Sequence, residues 1–412
     1  MNTRLLSVSS DEQPAAGINR LLMILILGCL SAFGPLSLDM YLPGLPALAA
    51  DLGTGVSQAQ LSLTSCLLGL SLGQLLMGPL SDVRGRRGPL LLGLTVYMAA
   101  SLLCAFSPNI AVFLLLRFIQ GLAGSAGIVL CRAVARDMYS GTELTRYFAM
   151  LMLVNGAAPI LAPIFGGQLL NWTSWRGVFV VLCVIGVLLL AAVWFCLPET
   201  LPADRRSKGG IRNTLSAFGI LARDRSFVGL TLAQGLIFAG MFAYISGSPF
   251  VLQDLYGVSP QMFSLIFAVN GLGIILVGQT TSRLVGRFSE IALFRYGIGQ
   301  SLAGGVILLL SIIGGGGLPL MLPALFLVVS SVGIASTSGT SLAMQRYGHA
   351  AGSASALLGL VSYIIGGLVS PLVGLGGSGT ALPMGVIIVL AEAGAVLCYL
   401  FLVRKPQKQP NL

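Results

Sequence analysis

The sequence predicts an all-α integral membrane protein of twelve transmembrane helices in two six-helix halves, with both termini cytoplasmic. Three observations carry this. Of 412 residues, 56% are apolar and only 9% are charged, where soluble domains average about 25% charged. Mean hydropathy is +0.93, and apolar runs long enough to cross a bilayer, roughly 20 residues each, recur along the whole chain. Finally, the basic residues fall almost entirely on one side of the membrane once those runs are threaded through it.

The first twenty residues are polar and mixed in charge. They lack the short apolar region and small-residue cleavage site of a signal peptide, so the first span is expected to be retained. Spans are predicted at 21–42, 58–80, 90–107, 110–132, 147–169 and 176–197, then at 227–249, 261–282, 291–313, 318–342, 353–375 and 382–403. The longest hydrophilic stretch separates these sets. The expected organisation is therefore a cytoplasmic segment 1–20, an N-terminal half 21–197, a cytoplasmic linker 198–226, a C-terminal half 227–403 and a cytoplasmic tail 404–412.

With the N-terminus inside, every basic residue except Arg117 and Arg176 lies in an inside segment. The net charge of +10 is thus a topological signal, and no nucleic-acid partner is expected. The halves echo each other at an offset of about 200 residues: GPLSDVRGRR at 78–87 follows span 2, and GQTTSRLVGR at 278–287 follows span 8. Two similar halves fit a transporter with its site at the repeat interface. Small residues within spans, such as Gly69, Gly73, Gly121 and Gly124, allow helices to approach closely. All seven cysteines fall in apolar runs without a CxxC pair and read as packing residues.

No GxxxxGK[ST] phosphate loop is present. The single histidine, His349, lies in an inside loop, and no cluster has metal-site spacing. No cofactor, metal or enzymatic activity is expected, and energy should come from an ion gradient. Charges inside spans are costly, which marks Asp39, Arg117 and Glu392. Asp39 lies near the outer end of span 1, and Arg117 lies roughly 12 Å past Asn109 from the same side. The two are expected to pair, the alternative being that each snorkels to the interface. Glu392 sits mid-span in the last helix without a cationic partner at its depth. Pro159 and Pro163 punctuate span 5, followed by Gly166 and Gly167, a combination suited to a kinked, moving helix.

These features converge on a known pattern. GPLSDVRGRRGPL resembles the inside-loop motif of the major facilitator superfamily, and LLLRFIQGLAG resembles its arginine motif, centred on Arg117. APIFGG resembles the antiporter motif, with Ala162 where glycine is usual. LSLDMYLPGLP, CRAVARDMYS, FAGMFAYISGSPFV and HAAGSASALLG resemble the bicyclomycin and chloramphenicol resistance branch (the Bcr/CflA type), a likeness covering nearly the whole chain. The resemblance implies two six-helix bundles around a central cavity, and export of drugs in exchange for protons across the bacterial cytoplasmic membrane. It assigns Asp39 and Arg117 to proton coupling. It also assigns Asp82, Arg86 and Arg87 to inner-side gating; on helix-dipole grounds Asp82 is expected to meet the positive N-terminal end of span 11 near Gly352, the alternative being that the arginines only fix topology.

On this reading a proton from outside neutralises Asp39, and inward opening releases it and admits substrate. Met40, Phe238, Phe242 and Tyr244 are expected to contact substrate, with Asn155 and Asn270 orienting it. Few span charges are available to clamp a zwitterion or phosphate, so neutral or weakly polar cargo is favoured. A proton-coupled exporter of a sugar, nucleoside or amino-acid-related metabolite is the alternative. A membrane-embedded enzyme or channel lacks a supporting constellation. The expected partners are a small-molecule drug, protons and the lipid bilayer, with the protein working as a monomer.

Overall fold

The computed structural model describes residues 20–206, 216, 218–345, 347 and 351–403. His349, the terminal segments and part of the linker lie outside the described residues. The described residues are predominantly helical. The spans are α1 (Arg20–Ser31, continued by Phe33–Asp39), α2 (Val56–Arg84), α3 (Arg87–Ala105), α4 (Ile110–Met138), α5 (Gly141–Leu169) and α6 (Trp175–Cys196). They continue with α7 (Arg225–Pro249), α8 (Pro260–Leu284), α9 (Glu290–Ile313), α10 (Gly317–Met344), α11 (Ala351–Val373) and α12 (Leu382–Cys398). Among the described residues eleven helices are long and apolar enough to cross a membrane. A twelfth span is made by two segments, Leu22–Ser31 and Phe33–Asp51, that bend by 44° at their junction.

Local sequence sets where the helices begin. Asn109 caps α4 by accepting from the Val112 N–H at 3.0 Å. Asp224 caps α7 through the Ser226 and Phe227 N–H groups. Ser259 caps α8 at the Met262 N–H, with Pro260 in the first turn where its missing N–H costs nothing. Several helices outrun the apolar stretches that predict them: α4 continues to Met138 and α5 begins at Gly141. Side-chain polarity ends a hydropathy peak without interrupting the backbone hydrogen bonds of a helix.

Close packing repeats between the halves. A Cβ on Gly121 of α4 would meet the Cys66 carbonyl and Leu70 nitrogen of α2; one on Gly333 of α10 would meet the Ile274 carbonyl and Gly278 nitrogen of α8. The same small-residue crossing thus occurs once in each half. Two apolar cores lie within single halves, one around Leu27, Tyr97 and Leu130, the other around Ile237, Phe294 and Ala335. A third core, around Tyr41, Phe179, Tyr244 and Leu325, crosses between them.

That third core sits at the end of the bundle opposite the arginine-rich loop joining α2 and α3. Five hydrogen bonds between the halves cluster there. Ser57 donates to the Pro371 carbonyl at 2.7 Å, Thr64 to the Gly367 carbonyl at 2.6 Å and Gln60 to the Ser246 carbonyl at 2.9 Å. Gln261 donates to the Gly167 carbonyl and to Asn171. Among the described residues the halves share no such side-chain bond at the arginine-rich end.

Candidate functional site

Between the halves lies a cavity of about 420 Å³. Its wall combines Asp39 and Leu38 of α1, Gln74 of α2, Arg132 of α4 and Asn155 and Pro159 of α5. The other half supplies Phe238, Phe242 and Tyr244 of α7, Phe267 and Asn270 of α8, Ser336 of α10 and Tyr363 of α11. Of the residues expected to contact substrate, Asn155, Phe238, Phe242, Tyr244 and Asn270 are on this wall. Met40 is not. It is buried in the core between the halves, and its backbone carbonyl lies where a Cβ on Gly166 would have to go. Met40 keeps helical dihedrals and still donates to the Leu36 carbonyl, so its side chain projects about 100° round the helix from that of Asp39 and into the core.

Asp39 and Arg117 do not pair. Arg117 is 0% exposed, so it does not snorkel either. Its Nη2 donates to the Ser37 carbonyl at 2.7 Å and its Nη1 to Gln120, while the guanidinium lies 4.4 Å from the centre of the Tyr41 ring. Gln120 in turn donates to Ser101 at 2.7 Å. The physical reason is the break in α1. The segment Phe33–Asp39 ends within the protein, leaving its last carbonyls without intrahelical donors. A cation at that end satisfies one of them and complements the negative pole of the helix. Arg117 therefore caps the broken helix, and Asp39, the last residue of that helix, is left facing the cavity.

The two polar side chains on the C-terminal wall engage each other: Asn270 donates to the Tyr244 hydroxyl at 2.8 Å, and the Tyr244 ring stacks on Phe267. Asn155 donates to the Leu151 carbonyl at 2.8 Å, which orients its amide along α5. Helix α5 runs unbroken through Pro159 and Pro163. Pro159 lines the cavity, and Gly166 admits the Met40 backbone. Gly167 faces Ser264 and the Pro260 carbonyl of α8, so it lies where the halves touch.

The arginine-rich loop is bound within its own half. Arg86 forms an ion pair with Asp82 and another with Asp137 at 2.9 Å, and it donates to Ser81. Arg87 donates to the Trp194 carbonyl at 2.7 Å and lies over the Trp194 ring. Glu199, just after α6, accepts the N–H groups of Arg86 at 2.7 Å, Arg87 at 3.2 Å and Leu201 at 3.0 Å. Partial burial works against its ionised form. The backbone donors and the nearby Arg206 outweigh that and hold the Glu199 carboxyl below its ordinary range. The surroundings of Gly352, where Asp82 was expected to reach, lie outside the described side chains.

Glu392 is fully buried in α12, away from the cavity, with the Ser301 hydroxyl of α9 beside it, and among the described residues neither carboxyl oxygen makes a hydrogen bond of good geometry. It packs against Gly240 of α7. Sequence reasoning missed Gln74, Arg132, Ser336 and Tyr363 on the cavity wall, and Ser57, Gln60, Thr64 and Gln261 between the halves. Polar residues inside apolar spans were the available signal for most of them.

The Major Facilitator Superfamily model matches residues 27–371. An uncharacterised MFS-type transporter of Bacillus subtilis, YdgK, is 43% identical over 94% of this chain and 97% of its own. The bicyclomycin resistance protein homolog of Haemophilus influenzae is 31% identical over 94% and 97%. The chloramphenicol resistance protein of Pseudomonas aeruginosa is 30% identical over 84% and 81%. Among solved structures, a partially occluded inward-open xylose transporter XylE from E. coli superposes with a TM-score of 0.71. It covers 95% of this chain and 99% of that one at 14% identity, a likeness of fold. The chain is a multi-pass membrane transporter of the Major Facilitator Superfamily, of the bicyclomycin and chloramphenicol resistance (Bcr/CflA) type.

Proposed function

We propose that this transporter exports small hydrophobic or weakly polar drugs across the bacterial cytoplasmic membrane in exchange for protons, by alternating access. The observation that carries the reading is a cavity between the halves that combines one carboxylate, Asp39, with an aromatic wall. A carboxylate that can bind and release a proton, beside a surface that accepts apolar cargo, is the minimum an exchanger needs. Coupling then requires only that proton and cargo favour different states.

The distribution of basic residues puts the arginine-rich end in the cytoplasm. On that orientation the five hydrogen bonds between the halves close the outer side, and this is an inward-facing state. A proton carried in on Asp39 leaves to the cytoplasm, and cargo takes its place. In the opposite state Asp82, Arg86 and Arg87 are available to hold the inner side closed, while Gly166, Gly167, Pro159 and Pro163 let α5 move against its neighbours. The amides of Gln74, Asn155 and Asn270 also suit a polar metabolite, which keeps that cargo class as the second reading.

The test is proton release from purified protein on addition of drug. Asp39→Asn is expected to abolish the release and the pH-driven export while leaving folding intact. Full release by the variant would move the proton site elsewhere. Release evoked by a sugar or nucleoside and not by drugs would favour the metabolite reading.

A further inference from the structure

The sequence places Arg132 among the inside arginines that fix topology; the structure places it on the cavity wall. It lies in α4, six residues before the helix ends at Met138, and its side chain is exposed. Among the described residues its side chain has no hydrogen bond or ion pair, and Asp39 is the only other charged residue lining the cavity. Helices α1 and α4 run antiparallel and touch where Gly34 meets Ile128. From that point Asp39 lies five residues toward the sealed end, and Arg132 four residues toward the other. At 1.5 Å per residue the two are separated by about 13 Å along the axis, too far to neutralise each other directly. Phe238, Phe242 and Tyr363 belong to the wall of the same cavity.

We infer that Arg132 selects cargo by charge. The cavity takes amphiphilic molecules with a compact aromatic body and a carboxylate or similar anionic group, and it disfavours cations. This rests on the reading of the cavity as the export site. An unpaired guanidinium persists inside a span because the cavity hydrates it. A carboxylate replacing that water gains a charge-assisted, two-pronged contact with the planar fork. A cation meets repulsion from Arg132 instead, and repulsive elements of this kind are how sites discriminate. The apolar body then lies against the aromatic wall.

Three ligands sharing one body test this: chloramphenicol, which is neutral, its anionic hemisuccinate ester and its cationic deacylated amine. Their binding is measured on the full-length protein in lipid nanodiscs. The expected result is that the wild type binds the hemisuccinate about tenfold more tightly than the amine, a difference of about 1.4 kcal/mol. Arg132→Gln erases this preference while changing affinity for the neutral compound less than about twofold, and Arg132→Lys retains part of it. Equal affinities of anion and cation in the wild type overturn the inference. So does an unchanged preference in Arg132→Gln, which would leave the residue a topological role. Should the glutamine variant fail to fold, the wild-type order and the lysine variant still decide. Binding of neutral chloramphenicol that is lost in Phe242→Ala keeps the export reading standing whatever Arg132 does. No binding of any of the three to the wild type overturns both.

Discussion

The two ends of the bundle are fastened by different chemistry. At the sealed end the halves meet through neutral side chains donating to backbone carbonyls, as Ser57, Gln60 and Thr64 do. At the arginine-rich end the strong contacts among the described residues are charged, Arg86 with Asp82 and Asp137 and Glu199 with the Arg86 N–H, and these stay within one half. A neutral hydrogen bond contributes about 1 kcal/mol net, and its groups can return to water at little cost. Charge-assisted bonds are roughly twice as strong. The difference teaches how alternating access can be built: weak, reversible contacts where the halves must part, and strong ones where a single half must stay rigid.

The largest expected effect is at the sealed end. Gly167 approaches Ser264 and the Pro260 carbonyl so closely that a branched side chain has no room. Gly167→Val should destabilise closure by about 1–3 kcal/mol, the usual range for overpacking. Cysteine probes placed near Asn171 should become more reactive by about tenfold or more, and export should fall. Unchanged labelling would remove Gly167 from the seal.

A smaller change should follow from Gln60→Ala, which removes the donor to the Ser246 carbonyl. Losing about 1 kcal/mol shifts the balance of outward- and inward-facing states by about fivefold. Distances between spin labels at the sealed end read that balance directly. If the variant leaves the distribution untouched, the closure is carried by apolar packing and the contrast between the ends fails.

Glu199→Gln should do least. The side chain is exposed, and screening reduces the worth of its contacts to about 0.5 kcal/mol. Its sign is nonetheless defined. The carboxyl titrates below its ordinary range in the folded protein, so its contribution is fully present above that range and lost as pH falls through the lowered folded value. Wild type and variant should therefore differ slightly in thermal stability at neutral pH and converge in strong acid. A difference that grows with acidity would contradict the assignment.

The spans were legible because hydropathy alone specifies them, and the described helices follow the predicted ranges within a few residues at most ends. The exceptions are instructive. Helices α4 and α5 extend into polar sequence, and Arg132, which hydropathy put at the last residue of its span, lies within α4 and faces the cavity. The aromatic wall was legible from Phe238, Phe242 and Tyr244, which belong to one span. The Asp39–Arg117 pair was misread because depth along two helices says nothing about rotation about them. It also cannot reveal that α1 breaks and offers Arg117 a carbonyl. Glu199 escaped notice because the loop it closes is 112 residues away in the chain.

Gly240 and Glu392 carry a consequence for how this sequence can change. The space that a methyl group at position 240 would need is taken by a Glu392 carboxyl oxygen. That oxygen is the far end of a flexible side chain, so an alanine at position 240 needs only a small shift of the Glu392 carboxylate, whereas a branched residue there would press on the rest of that side chain. The two positions are therefore coupled in size: shortening Glu392 opens room beside α7 that a larger residue at position 240 can fill.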